Sequence, residues 1–308
     1  GRLTMSQVAD VHDGFANALK LDCTTADTSI ASNEFGVLST RFEGQDLQQL
    51  KKGTSEAEAV TVSFYVKGNA NATYALELYD AVGGRHASQL FNVTTSWNRI
   101  SLTFNGDTTD SFADSNALAL EVNIWFHAGS NYTSGTINGN FASADNTRRA
   151  AGISSFFDST NRTFFITGVQ LEVGDQATDF EHRSFAEELR LCQRYFETSY
   201  LVGTAIGVSG QAGNGAVNGV SHTATVYPSA GELRWNTRKR ATPTVVIYNS
   251  NTGTVNEVYN HDSGANKAIQ SLTGTSELGF QLFYTGGGGT GMNENDRFTY
   301  HYTADSEL

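Results

Sequence analysis

The stretch LALEVNIWFH, Leu118–His127, is the longest clean period-two run in the chain. Leu118, Leu120, Val122, Ile124 and Phe126 share one parity, while Ala119, Glu121, Asn123, Trp125 and His127 share the other. Successive side chains of a strand point to opposite faces, so this stretch reads as a β-strand with one apolar face turned to a core. Outward from it, the same alternation appears in VTVSFYVK (Val60–Lys67), in Tyr74–Asp80 and in Ile100–Phe104. A further strand is expected over Phe164–Val173, with Phe165, Val169, Leu171 and Val173 inward. Turn signals such as Gly83-Gly84 and Asn105-Gly106-Asp107 separate these runs. Short one-sided strands punctuated in this way specify a two-sheet sandwich, expected to occupy residues 1–183.

One helix signal follows, over residues 184–200. Ser184 and Glu187 have capping-box spacing, and Phe185, Leu189, Cys192 and Phe196 fall on one stripe. A lone helix of this length is marginal in water and needs a surface to pack on. The flanking domains could supply it, or two further copies of the same helix around a threefold axis. Beyond Tyr200 the composition shifts to Gly, Ala, Ser and Asn, then strands resume at Leu233–Trp235, Thr244–Tyr248, Leu278–Tyr284 and Phe298–Tyr302. Residues 201–308 therefore read as a smaller C-terminal β-sandwich with long polar loops. The fold class is all-β, with one linking amphipathic helix.

The composition agrees: among 308 residues, 31 Gly against 2 Pro suit short strands and tight turns, and 39% apolar residues suffice for a core. A formal charge of -12 opposes a phosphate-binding surface, so no nucleic acid partner is expected. No apolar run is long enough to span a bilayer as a helix, so no membrane insertion is expected either. Cys23 and Cys192 cannot staple a chain this long, and each reads as a small buried apolar group. Leu3–Val8 already reads as a strand with no lead-in, which suggests a piece of a longer protein.

The outward parity collects the candidate site. Tyr65, Tyr79, Glu121, Asn123, Trp125 and His127, with Glu77 and Lys67, fall on the non-core faces of their strands. An outward Trp beside amides and carboxylates suits a sugar, whose C–H face stacks on a ring while its hydroxyls take the polar groups. The competing reading is that a loop, a terminal segment or a neighbouring subunit covers Trp125. Glu77 and Glu121 could be cross-strand neighbours and so raise glycoside hydrolysis by paired carboxylates, but sequence spacing cannot test that, and no enzyme is expected. No metal spacing, nucleophile elbow or phosphate loop is present; Gly286–Gly291 lacks the Lys-Ser/Thr and the helix of such a loop. No cofactor is expected. In the C-terminal domain, loops on a rigid β scaffold are the natural recognition elements, making Asn249, Asn251, Tyr259, His261, Tyr284, Asn293 and Asn295 candidates.

FFITGVQLEVGDQATDFEHRSFAEELRLCQRYFE (Phe164–Glu197) closely resembles a stretch that recurs in tail-fibre and other virion surface proteins of tailed phages, notably marine and cyanobacterial ones. FEGQDLQQLKKGTSEAEAVTVSFYVKG (Phe42–Gly68), SWNRISLTFNGDTTDSF (Ser96–Phe112) and FTYHYTADSEL (Phe298–Leu308) resemble the same family, and RATPTVVIYN (Arg240–Asn249) does so more loosely. The resemblance implies a jelly roll like those of carbohydrate-binding modules, then the helix, then a receptor-binding head, in a homotrimeric fibre or spike of the virion that adsorbs to host cell-surface polysaccharide. Other virion tail proteins would be its partners. Jelly rolls of this kind often hold a structural Ca2+ in an Asp/Asn loop, although no motif here marks one. The alternatives are a structural virion protein with no ligand of its own, or a polysaccharide depolymerase.

Overall fold

Alternation at Leu118–His127 does produce a long strand, and the sheets around it organise the N-terminal half of the molecule. The computed structural model describes residues 1–221, 229–269, 271–283 and 292–308. The chain divides into two compact units, residues 1–182 (with Leu308) and residues 183–307.

The first unit contains β1 (Leu3–Val8), β2 (Ala18–Cys23), β3 (Phe35–Glu43), β4 (Val60–Gly68), β5 (Ala72–Asp80), β6 (Arg85–Val93), β7 (Asn98–Phe104), β8 (Leu118–Ala128), β9 (Ala142–Ser143) and β10 (Thr163–Val173), with a single-turn helix α1 (Ser130–Thr133) between β8 and β9. They form two five-stranded antiparallel sheets, ordered β1-β2-β10-β4-β7 and β3-β8-β5-β6-β9, in a jelly-roll β-sandwich. The expected core parity of β8 faces inward: Leu120, Val122, Ile124 and Phe126 meet Val62, Phe64, Val66, Leu76 and Leu78. Removing such side chains from water is the main stabilising term in a sandwich of this size.

Strand β10 departs from its simple alternation. Phe164 and Ile166 are core residues, and Leu171 packs against the core. Val169, by contrast, is exposed. A bulge between Thr167 and Gln170, with Gly168 at φ +59°, inserts the extra residue that switches parity midway along the strand. A Cβ on Gly168 would stand 2.5 Å from the Phe15 ring, so a side chain is excluded both by φ and by space.

The second unit starts with α2 (Phe185–Tyr195), followed by β11 (Phe196–Thr198), β12 (Val217–Val220), β13 (Ser229–Arg234), β14 (Thr244–Asn249), β15 (Glu257–Asn260), β16 (Ala265–Ala268), β17 (Ser271–Ser276), β18 (Gly279–Phe283) and β19 (Arg297–Asp305). Ser184 caps α2, its Oγ accepting from the Glu187 N–H. The helix ends earlier than its periodicity suggests because Phe196 enters the sheet opposite Asp305. None of the helix residues is buried, and Cys192 is exposed, contrary to its expected burial. β19 pairs with β11, β12, β14 and β15, and a three-stranded sheet β13-β18-β17 contributes Phe280 and Leu282 to the core with Trp235, Ile247, Val258, Phe298 and Tyr302. Among the described residues, no helix is long and apolar enough to cross a membrane.

Candidate functional site

Parity correctly separates the two faces of β8, but it does not make the second face exposed. Trp125 is 2% exposed, and Asn123 and His127 are buried with it. The cover is the polar segment between β8 and the last strand, residues 129–155. Trp125 packs with Ala75, Ala128 and Ala150, and with Val37, Tyr132, Ile137 and Ile153, as a second, smaller apolar cluster on the outer side of the sheet.

Glu77 is at the centre of this face. It is fully buried on β5 and accepts hydrogen bonds from Trp125 Nε1 (2.8 Å), Arg149 Nε (2.7 Å) and Nη2 (2.9 Å), and Asn123 Nδ2 (3.3 Å). His86 Nε2 accepts from the Asp145 N–H, which leaves Nδ1 to donate to Glu77 Oε1 at 3.1 Å. Burial works to raise the Glu77 pKa, but the hydrogen bonds from His86 and Arg149, the Arg149 charge and Trp125 Nε1 outweigh it and hold the carboxyl below its usual range. The guanidinium of Arg149 lies over the rings of Tyr79 (4.7 Å) and Trp125 (4.9 Å), clamping the floor with charge on one side and π-faces on the other.

Above this floor runs a groove of about 320 Å³, lined by Phe35, Val37, Ser39 and Arg41 of β3, by Glu121, Asn123 and Trp125 of β8, and by Tyr132 and Arg149. Phe35, Trp125 and Tyr132 form an aromatic trio with ring centroids 5.3 to 5.9 Å apart. Phe35 is 59% exposed at the mouth. At the other end Arg41 Nε lies 3.2 Å from Glu121 Oε1, and Asn123 Nδ2 donates to both Glu121 and Glu77. The groove therefore offers the rings of Phe35 and Tyr132, backed by buried Trp125, with the Arg41–Glu121 pair beside them, a set suited to a neutral polyhydroxylated ligand.

Of the six N-terminal candidates, Glu121, Asn123 and Trp125 meet in this groove. Tyr79 lies beside them under Arg149. His127 does not: its ring is buried against Phe157 and Ser155, with Nδ1 2.8 Å from Ser155 Oγ. Tyr65 is on the other sheet altogether, in β4, its ring tilted against His12 and Phe15 with centroids 4.3 and 5.4 Å away. Phe35, Arg41, Tyr132 and Arg149 are the residues the sequence reading missed. The Glu77–Glu121 pair does not form a hydrolytic dyad, because Glu77 is fully buried with both oxygens engaged by Arg149, Trp125, His86 and Asn123 and cannot reach a glycosidic bond.

In the second unit, Asn251, His261, Asn293 and Asn295 are exposed and Tyr259 is half-buried. Asn249 is fully buried, its Oδ1 accepting from the N–H groups of Asn251 and Thr252, so it shapes its turn rather than facing a ligand. Tyr284 lies outside the described residues. The basic concentration at Arg234–Arg240 is consumed internally, with Arg234 on Glu232, Arg238 on Glu277 and Lys239 on Glu197.

No family model and no curated protein matches this sequence. Among solved structures, a CBM4 module aligns at 11% identity over 56% of this chain and 80% of that one, with a TM-score of 0.30. The CBM22-1 xylan-binding domain of Paenibacillus barcinonensis Xyn10C aligns at 13% identity over 57% and 85%, TM-score 0.29. The enzymatically active domain of tailspike protein 4 of bacteriophage CBA120 aligns at 14% identity over 56% of this chain and 18% of that one, TM-score 0.32. Superpositions this loose carry no functional weight.

Proposed function

We propose that the chain is a non-catalytic glycan-binding protein whose first unit holds a saccharide in the groove between β3, β8 and Tyr132. The observation that carries this reading is the aromatic trio Phe35–Trp125–Tyr132 beside the Asn123 amide and the Arg41–Glu121 pair. A sugar ring stacks on Phe35 and Tyr132, which buried Trp125 supports from beneath, and exchanges hydrogen bonds with Arg41 and Glu121. Ionised, fully partnered Glu77 supports the absence of hydrolysis. The sequence resemblance extends the proposal to a virion adhesin of a tailed phage, adsorbing to host surface polysaccharide. Helix α2, with no buried residue and with Phe185 70% exposed and Cys192 exposed on the same stripe, is then the seam of a homotrimer. Three weak sites on one particle would multiply into useful avidity.

A glycan array probed with the purified chain tests the binding. Loss of signal in Phe35→Ala places it in the groove; loss on replacing residues 249–254 instead moves it to the exposed loops of the second unit. An array with no hits sinks the glycan reading and leaves a structural virion protein. Light scattering tests assembly: wild type should have three times the mass of Phe185→Asp, and equal masses would overturn the helical seam.

A further inference from the structure

His127, displaced from the sugar groove, has a different neighbourhood. A ring nitrogen of His127, a carboxylate oxygen of Asp27 and one of Glu34 all lie within 4.8 Å of one another. The three come from two elements: Asp27 and Glu34 from the segment joining β2 to β3, and His127 from β8, where it pairs with Gly36. Asp27 is 6% exposed, and its Oδ2 is sealed from solvent and receives no hydrogen bond. Arg2 Nη2, on a side chain 44% exposed, stands 2.8 Å from that oxygen as a counter-charge. The other oxygen, Oδ1, accepts from the Ser29 N–H at 3.1 Å, and Glu34 Oε2 accepts from the Ala31 N–H at 2.7 Å. Two carboxylates against one half-exposed arginine leave an excess negative charge at a nearly closed position, and burying such charge is costly unless a cation compensates it.

Ser155 Oγ engages Nδ1 of His127, leaving Nε2 as the free donor, and the Ser155 contact fixes the ring as an outer-sphere partner does in metal sites. Asp27 is itself anchored, its N–H donating to the Phe157 carbonyl at 2.7 Å, and the Glu34 carbonyl accepts from the Gly129 N–H.

We propose that Asp27, Glu34 and His127 bind a divalent transition-metal ion of the zinc class. One imidazole nitrogen with two carboxylate oxygens, completed by a water as fourth ligand, suits Zn2+; Ca2+ calls for six to eight oxygens and takes imidazole poorly. Such an ion would displace Arg2 from Asp27 and tie the β2–β3 segment to β8. It stands independently of the glycan reading, because its test needs no ligand but the metal.

Zn2+ is titrated calorimetrically into the chelator-stripped full chain, with Ca2+ in parallel, and thermal melting is followed with each. Expected are one Zn2+ per chain, a raised Tm, and binding weaker by about tenfold or more in Glu34→Gln and His127→Gln. Gln at position 34 keeps an oxygen for the Ala31 N–H, so Glu34→Gln decides the matter if His127→Gln does not fold. No Zn2+ binding in the wild type, binding unchanged in Glu34→Gln, or preference for Ca2+ would each overturn the proposal.

Discussion

Glu77 in the first unit and Glu197 in the second are the same device used in two ways. Each is a carboxylate with no appreciable exposure, satisfied by a cation, an aromatic donor and an asparagine amide. Glu197 accepts from Lys239 Nζ (2.6 Å), Tyr302 Oη (2.9 Å) and Asn236 Nδ2 (2.9 Å), and Lys239 is itself fully buried, with Gln193 O as a further acceptor. Burial lowers the Lys239 pKa, and the hydrogen bond and charge of Glu197 only partly offset it. Around Glu77 the cation is Arg149, 18% exposed, with its guanidinium over two rings at the edge of the groove. The sealed network can do nothing but hold β11 to the core. The open one holds a floor rigid beneath the rings of Phe35 and Tyr132, which is the pre-organisation that recognition requires.

That contrast can be broken most forcefully at Lys239. Lys239→Met leaves Glu197 buried without its cation and should destabilise the second unit by about 3–5 kcal/mol in urea unfolding. A loss under about 1 kcal/mol would mean water reaches the site. Glu77→Gln should cost less, about 1–3 kcal/mol, since the groove can solvate Arg149 once it is unpaired. If the two losses prove equal, the open-versus-sealed distinction fails.

Acid sharpens the comparison further. Burial depresses the His127 and His301 pKa values below their usual 6.5, more than Asp27 and Glu34 raise the first and the Gln211 carbonyl raises the second. The unfolded chain therefore takes up protons that the folded chain refuses, and stability should fall in both units as pH drops below about 6.5. Glu77, depressed in the folded state, adds a second loss below about 4.5, because its ionised form is what the network stabilises. Glu77→Gln should shrink that lower limb of the first unit's pH–stability curve, to which the depressed carboxyls of Asp10, Asp107, Asp145 and Glu172 also contribute, and leave the upper one intact. The smallest effect is expected at Phe35: Phe35→Ala should change stability by no more than about 0.5 kcal/mol, because the ring is mostly exposed, yet weaken glycan binding about tenfold or more. Trp125 is a poorer probe, since its truncation should cost about 3–5 kcal/mol of packing and confuse the two readouts.

How much of this was legible beforehand depended on whether a local pattern controlled the outcome. The core face of β8 was, because strand geometry ties parity to side and four apolar residues agree. A cover over Trp125 was one of the two readings its pattern allowed and is the one that holds, but the covering segment itself was not legible, because residues 129–155 are rich in Gly, Asn and Ser and without a period. Arg149, the cation of the whole face, sits in Asn146–Ala150 with nothing in its neighbours to distinguish it from a solvated arginine. Tyr65 was misplaced for a different reason: alternation gives the face of a strand but not the sheet to which the strand belongs. Val169 was misplaced because one glycine at positive φ shifts the count, and a bulge leaves no sign in hydropathy alone.

Strand β19 has a consequence for how the protein is made. Four strands of the second unit, β11, β12, β14 and β15, find their hydrogen-bonding partner in Arg297–Asp305, although all four precede it in the chain. During synthesis the first sandwich can close as soon as β10 emerges, whereas about a hundred residues of the second must wait, with Ile247 and Val258 uncovered, until their common partner emerges. Contacts of such long sequence separation also form slowly. The nascent second unit is therefore the stage at which a holdase chaperone would be needed and at which a premature stop codon would do the greatest damage.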